Sequence, residues 1–582
     1  MSSGRRGSWS VTAVNGVVAG TVLVLVAVLA LVVKPPAPPG IAAFAPQANK
    51  PITKAPNSQS ARFGSGAGAC GQGQVCAGRS ATPAASPGVA AVGPSASPTP
   101  YRGALPPGLQ CYEWPDGSVT QTFDPQSPPC IARWDDTKGN GGATSQGVTG
   151  SQINVVLPVT NATSNWPTLQ PLVDFFNTRF QFYGRKIKIV PVHSLQADQN
   201  IKGPWNDPSA QRADASQIAA AKPFATLDFT DPIPESSTLP LFLDAMARAK
   251  IISVNGGDVI PLDTASGLAK RAPYAWSYYT TTDDLMKNVA TMVCRQLVGR
   301  SAVHAGDPAL HAKTRKFAIY LPEDADLGGS MPGLSSMLAI LDACGVHAPH
   351  VVRQHISTQN AGAEAATMQQ LKAEGVTSLI FLPFGANGYA HSPLQAALNV
   401  GFEPEWVLIG WYNYNTAYML RDPTQETSGA FGVANWNKQP QLALEPWYQA
   451  AAAVGGEKDV GILNSARPFY QEMLLLASGI QMAGPHLTPQ SFAAGLHSTQ
   501  FPNPGGGTAP SYQGTVGFPG TATTMVQDYT GIWLDTRTSG TTVTSSPAIN
   551  EEKAFCEVAF GRRWTLDTWP GTDGYYQPGV CR

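Results

Sequence analysis

The chain carries little charge, and this scarcity limits the partners it can have. Only 13% of its 582 residues are charged, the formal net charge is −1, and no run of Lys or Arg occurs. Proteins that bind nucleic acid present a basic patch or stripe to the phosphate backbone. A nucleic-acid partner is therefore not expected.

The sequence also lacks the signatures of the common enzyme classes. It has no Gly-x-Ser-x-Gly elbow, no phosphate loop ending in Gly-Lys-Ser/Thr and no His-Glu-x-x-His helix. The nine His residues are scattered, and no Cys-x-x-Cys pair or neighbouring His has the ligand spacing of a zinc site. We therefore predict no catalytic residue, no metal and no cofactor, and we expect that the chain is not an enzyme.

The most apolar stretch lies near the N-terminus. Residues 17–33 are apolar and preceded by further uncharged residues, close to the ~20 residues that a membrane helix needs. Two arginines precede it, so the positive-inside rule places residues 1–10 in the cytoplasm. We predict a transmembrane signal-anchor over 11–33 and a single-pass protein of the cell membrane, with the bulk of the chain extracytoplasmic. A cleaved signal peptide is the alternative, although the Pro46 after its best cleavage site disfavours it.

The next segment, residues 34–110, is rich in Pro, Ala, Gly and Ser and contains almost no large apolar side chains. Such a composition cannot bury enough apolar surface to offset the entropy of ordering the chain. We expect this segment to be a disordered tether.

The chain has eight cysteines, and an exported protein is expected to join them in disulfides. Pairing in sequence order is the simplest arrangement. Cys294 and Cys344 fall near the ends of two predicted helices, so they could instead be buried thiols, and both interpretations stay open. The predicted bridges are Cys70–Cys76, Cys111–Cys130, Cys294–Cys344 and Cys556–Cys581.

A strand, a helix and a strand follow one another between residues 147 and 192. Residues 153–160 form a short apolar, β-branched run that suits a buried parallel strand. Apolar residues between Leu169 and Phe180 then recur at the spacing of one helix face, and residues 187–192 read as a second strand. Because parallel strands need covering helices, this βαβ unit opens an α/β domain whose ligands bind at the carboxyl ends of the strands.

The alternation of strands and helices restarts at residues 316–321, which predicts a second lobe. Residues 429–434 are expected to return the chain toward the first lobe, and 513–518 with 529–534 read as a hairpin-like pair. The predicted domains are a cytoplasmic N-terminus (1–10), the signal-anchor (11–33), the tether (34–110), a disulfide-bearing extension (111–150), the first lobe (151–282), the second lobe (283–430), parts of 430–540 shared by both lobes, and a disulfide-bearing tail (541–582).

Two short motifs give this pattern a family resemblance. The Gly147-Val148-Thr149 that precedes the first strand, and the Gly-Arg-Lys-Ile turn at 184–187 into the second, resemble the start of type I periplasmic-binding proteins. The nearest group is the branched-chain-amino-acid and amide binders of ABC importers, in an actinobacterial membrane-anchored form. The resemblance implies an α/β fold of two doubly wound Rossmann-like lobes joined by a multi-strand hinge.

The same resemblance implies where a ligand binds. A Ser-Ser stretch before a helix, the loops after the strands and an aromatic crossing between the lobes correspond to the family's ligand contacts. Ser237 could equally be only a helix N-cap, and Asp258 only a turn former. The candidate ligand-binding residues are Ser236, Ser237, Asn255, Asp258, Tyr278 and Tyr279 in the first lobe, and Asp326, Phe384, Asn387, Trp411 and Asn413 in the second.

Two departures from the family bear on the ligand. Leu327 stands where the family commonly has a Tyr that touches the ligand, and no carboxylate occurs between Gly410 and Tyr418 to bind an amino group. The aromatic loop residues suggest an apolar or flat ligand surface, so amino acids, amides and aromatic or apolar small molecules are all candidates. We expect an extracytoplasmic solute-binding protein that closes on its ligand and delivers it to an ABC transporter permease. The alternative is a membrane-tethered sensor or cell-wall interaction protein of the same fold.

The tether gives the first testable prediction. Limited proteolysis of the full chain is expected to release a stable fragment that begins near residue 105, because an unpacked segment is cut before a folded one. N-terminal sequencing of the resistant fragment measures the boundary. Recovery of only intact protein would count against a loose tether.

Overall fold

The computed structural model describes residues 99–100, 111–113, 119–120, 124, 126–131, 134–160, 166–202, 207–228, 239–256, 263–322, 331–354, 361–382, 391–410, 430–435, 443, 445–460, 465–501, 514–535, 554–558, 563–571 and 576. The chain divides into two units, Met1–Pro87 and Gly88–Arg582, and the described residues all belong to the second.

Fifteen strands and thirteen α-helices are described. The strands are β1 Thr99–Pro100, β2 Tyr112–Glu113, β3 Val119–Thr120, β4 Gln152–Val159, β5 Lys186–His193, β6 Ala225–Leu227, β7 Ile252–Asn255, β8 Ala275–Ser277, β9 Phe317–Pro322, β10 His350–Gln354, β11 Ser378–Phe381, β12 Glu405–Gly410, β13 Ala430–Ala434, β14 Thr530–Asp535 and β15 Ala554–Val558. The helices are α1 Gln170–Arg179, α2 Leu195–Lys202, α3 Pro208–Ala221, α4 Leu239–Arg248, α5 Ala265–Lys270, α6 Thr282–Gln296, α7 Leu334–Ala343, α8 Ala361–Ala373, α9 His391–Asn399, α10 Pro446–Ala452, α11 Glu457–Val460, α12 Ala466–Ala483 and α13 Pro489–Ser498.

The first lobe is built on a five-stranded sheet of order β5-β4-β6-β7-β8, and every pair in it is parallel. Its strands are apolar on both faces: Val155 and Leu157 belong to one core, and Val156 to another. Helices α1 and α12 cover the first face, while α3 and α4 cover the second. This is a doubly wound sheet, in which the chain switches direction beside the first strand.

The second lobe repeats the pattern and extends it. Its sheet has the order β10-β9-β11-β12-β13-β14-β15, in which β9 to β13 pair in parallel and the last two strands are antiparallel. The first five strands thus have the same relative order as those of the first lobe. The predicted fold class, two doubly wound α/β lobes joined by several chain crossings, is confirmed.

Two details of the predicted order are wrong. The segment expected to return toward the first lobe is itself a strand of the second sheet, β13, which pairs with β12, and the chain returns only after it, at Asn435. The two segments expected to form a hairpin do not pair with each other, because Val516 bridges Val526 whereas β14 lies between β13 and β15. Local apolar runs carry no information about such long-range partners.

The part of the chain that the structure describes shows three crossings between the lobes, and we call them the crossovers. The first runs over 278–281, from β8 into α6, which packs on β12 and β13. The second leaves β13 at Asn435 and leads to α10, which packs against α1 in the first lobe. The third runs over 526–529, from a segment hydrogen-bonded to β8 into β14.

Two of the predicted disulfides are present. Cys111 is bonded to Cys130, and Cys294 to Cys344, so the open question about the second pair is settled in favour of a bridge. The latter bond joins the end of α6 to the end of α7 inside the second lobe. Cys70, Cys76 and Cys581 lie outside the described residues.

Within the described residues, none of the helices combines the length and apolarity that a membrane crossing requires. The predicted signal-anchor lies outside those residues, and of the predicted tether only Thr99 and Pro100 are described, as strand β1, which pairs with β2.

A buried ion pair fixes the base of the second sheet. Arg315 donates from Nε and Nη2 to the two carboxylate oxygens of Glu405 over 2.7 and 2.8 Å, and the two side chains are 3% and 0% exposed. Ser378 Oγ donates to the same carboxylate over 2.5 Å. The pair thereby connects the strand starts of β9, β11 and β12.

Removing the charge of Glu405 tests the importance of this pair. E405Q is expected to lower the free energy of unfolding by about 3–5 kcal/mol, since it leaves the buried Arg315 without a counter-charge. Urea denaturation measures the loss. The matched control is D342N, because the His347–Asp342 pair is 74% and 67% exposed and should contribute nothing measurable. Equal effects of the two substitutions would contradict the assignment.

Candidate ligand-binding site

A row of polar side chains lies at the carboxyl edge of the first sheet. Thr226 pairs with Ser253 and Asn255 with Ser277, so the register brings Asp228, Asn255 and Ser277 side by side where their strands end. All three side chains are 0% exposed. Because ligands of doubly wound sheets bind outside the carboxyl ends of the strands, this row marks the floor of a candidate site.

Asn255 is the most informative member of the row. Its Nδ2 and Oδ1 are both buried and have no hydrogen-bond partner. A buried amide without partners costs roughly 1–3 kcal/mol, and such groups in native structures call for an explanation. An external group that both accepts and donates hydrogen bonds would satisfy it. The prediction that Asn255 contacts a ligand is therefore compatible with its surroundings, and it stays a prediction.

Asp228 was not identified from the sequence. Ser253 Oγ donates to its Oδ2, Oδ1 has no partner, and its backbone N–H donates to Glu472 Oε2 over 3.0 Å. Burial raises the pKa of the Asp228 carboxyl well above its ordinary value, which favours the neutral, protonated form. A neutral carboxyl can donate as well as accept a hydrogen bond.

The backbone after Asn255 turns sharply over the row. Gly256 has φ +82°, and a Cβ there would collide with Ser277 Oγ. Ser277 in turn donates to the carbonyl of Tyr279 over 2.6 Å. Only glycine fits this position, so the turn keeps the chain close to the carboxyl edge of the sheet.

The second lobe has an equivalent buried amide. Asn435 directly follows β13 and is 1% exposed, and its Nδ2 and Oδ1 have no partner. Its backbone carbonyl accepts a hydrogen bond from Arg563 Nη2. Each lobe thus ends one strand in an unsatisfied amide next to a crossover. No sequence pattern points to Asn435, because nothing local distinguishes it from a turn residue.

Tyr278 and Tyr279, predicted as ligand contacts, are packed inside the first crossover. They are 0% and 2% exposed, and their rings meet edge to face. Tyr278 Oη donates to Gln126 Oε1, and Gln471 Nε2 donates to Tyr279 Oη over 3.1 Å. The structure gives both rings a packing role, and their contact with a ligand stays a prediction.

The remaining predicted ligand contacts lie outside the described residues. They are Ser236, Ser237, Asp258, Asp326, Phe384, Asn387, Trp411 and Asn413. In the part of the chain that the structure does describe, no group of three or more His, Cys, Asp or Glu side chains is placed to hold a metal ion.

The segment before the first lobe packs on the first crossover. Gln126, which accepts from Tyr278, also donates through Nε2 to the carbonyl of Gly514 over 2.8 Å. Beside it, Asp124 Oδ2 accepts from Tyr470 Oη over 3.0 Å, and its Oδ1 accepts from the N–H of Gln126 over 2.9 Å. Burial raises the pKa of Asp124 to about 6.

Comparison with known proteins shows similarity at the level of solved structures only. No family model matches the sequence, and no curated protein matches it. One similar structure is an ABC transporter solute-binding protein from R. palustris in complex with 4-hydroxybenzoate, with 13% identity, 71% of this chain and 97% of that chain covered, and a TM-score of 0.44. A second is the closed leucine-, isoleucine-, valine-, threonine- and alanine-binding protein from Brucella ovis, with 10% identity, 73% and 97% covered, and a TM-score of 0.49. A third is a branched-chain amino acid ABC transporter protein from Thermus thermophilus with bound valine, with 10% identity, 71% and 97% covered, and a TM-score of 0.45.

The pKa of Asp124 gives a pH-dependent prediction. The folded protein keeps a proton on this carboxyl up to about pH 6, whereas the unfolded chain releases it above its ordinary pKa of 3.8. The resulting stabilisation is complete below the unfolded value and is lost as the pH rises through about 6, by roughly 3 kcal/mol in all. D124N, which imitates the protonated acid, should not lose it.

The measurement is the difference in unfolding free energy between wild type and D124N from pH 4 to pH 7. As the pH rises, the free energy of unfolding of the wild type should fall relative to that of D124N. The control is D135N, because hydrogen bonds from Thr137 lower the pKa of the exposed Asp135 carboxyl. Its difference from the wild type should stay nearly constant from pH 4 to pH 7, because this carboxyl is ionised above that range's lower limit in both the folded and the unfolded chain. A pH-independent difference for D124N would contradict the buried environment.

Proposed function

We propose that this chain is an extracytoplasmic solute-binding protein, which captures a small molecule between its two lobes by hinge closure and delivers it to an ABC importer. The observation that carries the proposal is the pair of unsatisfied buried amides, Asn255 and Asn435. They lie at the carboxyl edges of two sheets of like strand order, each next to a crossover. Polar groups without protein partners at this edge are suited to bind a ligand.

Closure follows from the connections between the lobes. The three crossovers let the lobes rotate about one region while each sheet stays intact. A ligand that touches both lobes binds the closed form better than the open one and shifts the population toward it. Asn255 contributes from one lobe and Asn435 from the other, so neither lobe alone completes the site.

The groups on the carboxyl edge of the first sheet suggest part of the ligand's chemistry. Asn255 offers a neutral donor and acceptor, and the raised pKa of Asp228 favours a neutral carboxyl beside it. Amide, hydroxyl or protonated acid groups on the ligand match these side chains without the desolvation cost of a charge. We therefore infer an amino acid, amide or aromatic or apolar small molecule that presents a neutral polar group to the first lobe.

The proposed location is outside the membrane. The bonded pairs Cys111–Cys130 and Cys294–Cys344 support an oxidising compartment, since cytosolic proteins rarely keep disulfides. We propose that the predicted signal-anchor holds the chain at the cell membrane, near the ABC transporter permease that reads the closed form. No nucleic-acid partner is proposed.

The proposal is tested by ligand binding and by one substitution. A library of amino acids, amides and aromatic acids is screened for a rise in the melting temperature of the purified chain. For a compound that binds, N255A should weaken binding roughly 5- to 150-fold, because two hydrogen bonds are lost. The melting temperature of free N255A should equal or exceed that of the wild type, because the amide has no protein partner to lose.

The control is S216A on α3, whose hydroxyl is exposed and bonded only to its own helix through Arg212. It should change neither the affinity nor the melting temperature. Destabilisation of the free protein by N255A would show that the amide is structural, and failure of the whole library would count against capture of this ligand class. Binding of a compound that cells expressing this chain do not take up would favour the sensor.

A further inference from the structure

The C-terminal segment is fixed on the second lobe. Strand β15 extends the second sheet by pairing with β14. Further along, Trp569 is 1% exposed, its Nε1 donates to Asn288 Oδ1 over 3.1 Å, and Arg295 donates to its carbonyl over 2.6 Å. Because Asn288 and Arg295 both lie on α6, the segment moves with the second lobe.

The same segment also runs along the third crossover. Trp564 and Tyr529 exchange backbone hydrogen bonds of 2.7 and 2.8 Å, which form an isolated antiparallel bridge. Tyr529 Oη donates to Thr280 Oγ1 of the first crossover over 2.9 Å. The C-terminal segment therefore contacts the chain where it passes between the lobes.

Arg563 joins two crossovers through one guanidinium group. Its Nε donates to Asp528 Oδ1 over 2.7 Å, and its Nη2 donates to the Asp528 carbonyl over 2.8 Å and to the Asn435 carbonyl. The side chains of Arg563 and Asp528 are 6% and 10% exposed. Asp528 belongs to the third crossover and Asn435 begins the second.

This geometry constrains rotation of the lobes. The Asp528 carboxylate also accepts from the N–H of Thr515 over 3.1 and 3.2 Å, in the segment that is hydrogen-bonded to β8 of the first lobe. Asn435, by contrast, lies beside Tyr529 at the paired ends of β13 and β14 in the second lobe. A change of the angle between the lobes therefore moves Thr515 relative to Arg563, with Asp528 between them. The planar guanidinium of Arg563 contacts Asp528 at two points, the side-chain Oδ1 and the backbone carbonyl, and keeps both hydrogen bonds only over a narrow range of positions. A buried ion pair at the same point makes loss of the contact costly.

We propose that the Arg563 contact with Asp528 and Asn435 is a hinge clasp, which holds the two lobes at one angle and sets how readily the protein closes. The regulatory role of the clasp rests on the proposed function, because it acts by changing how readily the lobes close on a ligand. Its effect on the crossovers themselves does not depend on any ligand. Arg563 bonds the backbone carbonyl of Asn435, whose side-chain amide is one of the two proposed ligand contacts.

Hydrogen–deuterium exchange on the full chain without ligand tests the clasp. R563Q is expected to speed exchange at the crossover amides, those of Tyr529 and Val526 included, at least 10-fold, while the core strands β4, β7 and β11 keep wild-type rates. R563K keeps a charge for Asp528 but not the planar fork, so its exchange should fall between the two. Circular dichroism confirms that each variant is folded.

The matched control is R271Q. Arg271 is also largely buried, pairs with Asp263 and Asp244, and bonds a backbone carbonyl, but it lies within the first lobe. It should speed exchange near α5 and leave the crossovers unchanged. If R563Q fails to fold, R563K alone decides the outcome.

Unchanged exchange at the crossovers in a folded R563Q or R563K would overturn the clasp, whatever the protein binds. Faster exchange at the crossovers in a protein that binds none of the screened compounds would support the clasp and count against the proposed function. Where a ligand is found, its affinity should change in R563Q, which removes a hydrogen bond to the Asn435 carbonyl and keeps the Asn435 side chain.

Discussion

The parallel pairing of strands in both sheets is the constraint on which the rest of the structure depends. Parallel neighbours must be joined by crossing helices, which cover both faces and leave the carboxyl ends of all strands at one edge. In the first lobe this brings Asp228, Asn255 and Ser277 into one row, although the chain separates them widely. The polar edge is therefore a product of topology rather than of any local motif.

Buried polar groups at the carboxyl edges of the sheets lower the stability of the folded protein, because they lack hydrogen-bond partners. Asn255 and Asn435 are buried without hydrogen-bond partners, and the buried Asp228 carboxyl has one oxygen without a partner. Buried charged groups elsewhere in the lobes include well-paired ones: Arg315 binds Glu405, and Arg185 donates to four backbone carbonyls. Thr226 Oγ1 and Glu457 Oε2 are further buried atoms without a partner. The paired groups stabilise the fold, whereas Asn255, Asn435 and Asp228 keep hydrogen-bonding capacity that a ligand could use. Local departures of this kind are typical of functional sites.

The sequence predicted the parts of this fold that depend on short-range pattern. Strands β4 and β5 were placed to within a residue at each end, and the Cys294–Cys344 bridge followed from pairing in order. The errors arose where partners are distant. The apolar run that became β13 fits either lobe equally well, and β14 pairs with strands that local pattern cannot identify.

The candidate site shows the same division. Asn255 could be predicted because a resemblance supplied its position after a strand, but its lack of partners is visible only in three dimensions. Asp228 and Asn435 were missed because their importance comes from strand register and burial. The role of the C-terminal segment was also invisible, since Arg563 acts on residues that are far away in the sequence.

The position of the Cys294–Cys344 bond has a mechanical consequence. Helix α6 begins at the first crossover, and Cys294 lies near its far end, so the bond is separated from the crossing by roughly three turns of helix, about 18 Å. The disulfide thus crosslinks α6 and α7 within the second lobe, away from the crossovers. Reduction of this bond would loosen the packing of α6 against α7 and leave the crossovers unchanged.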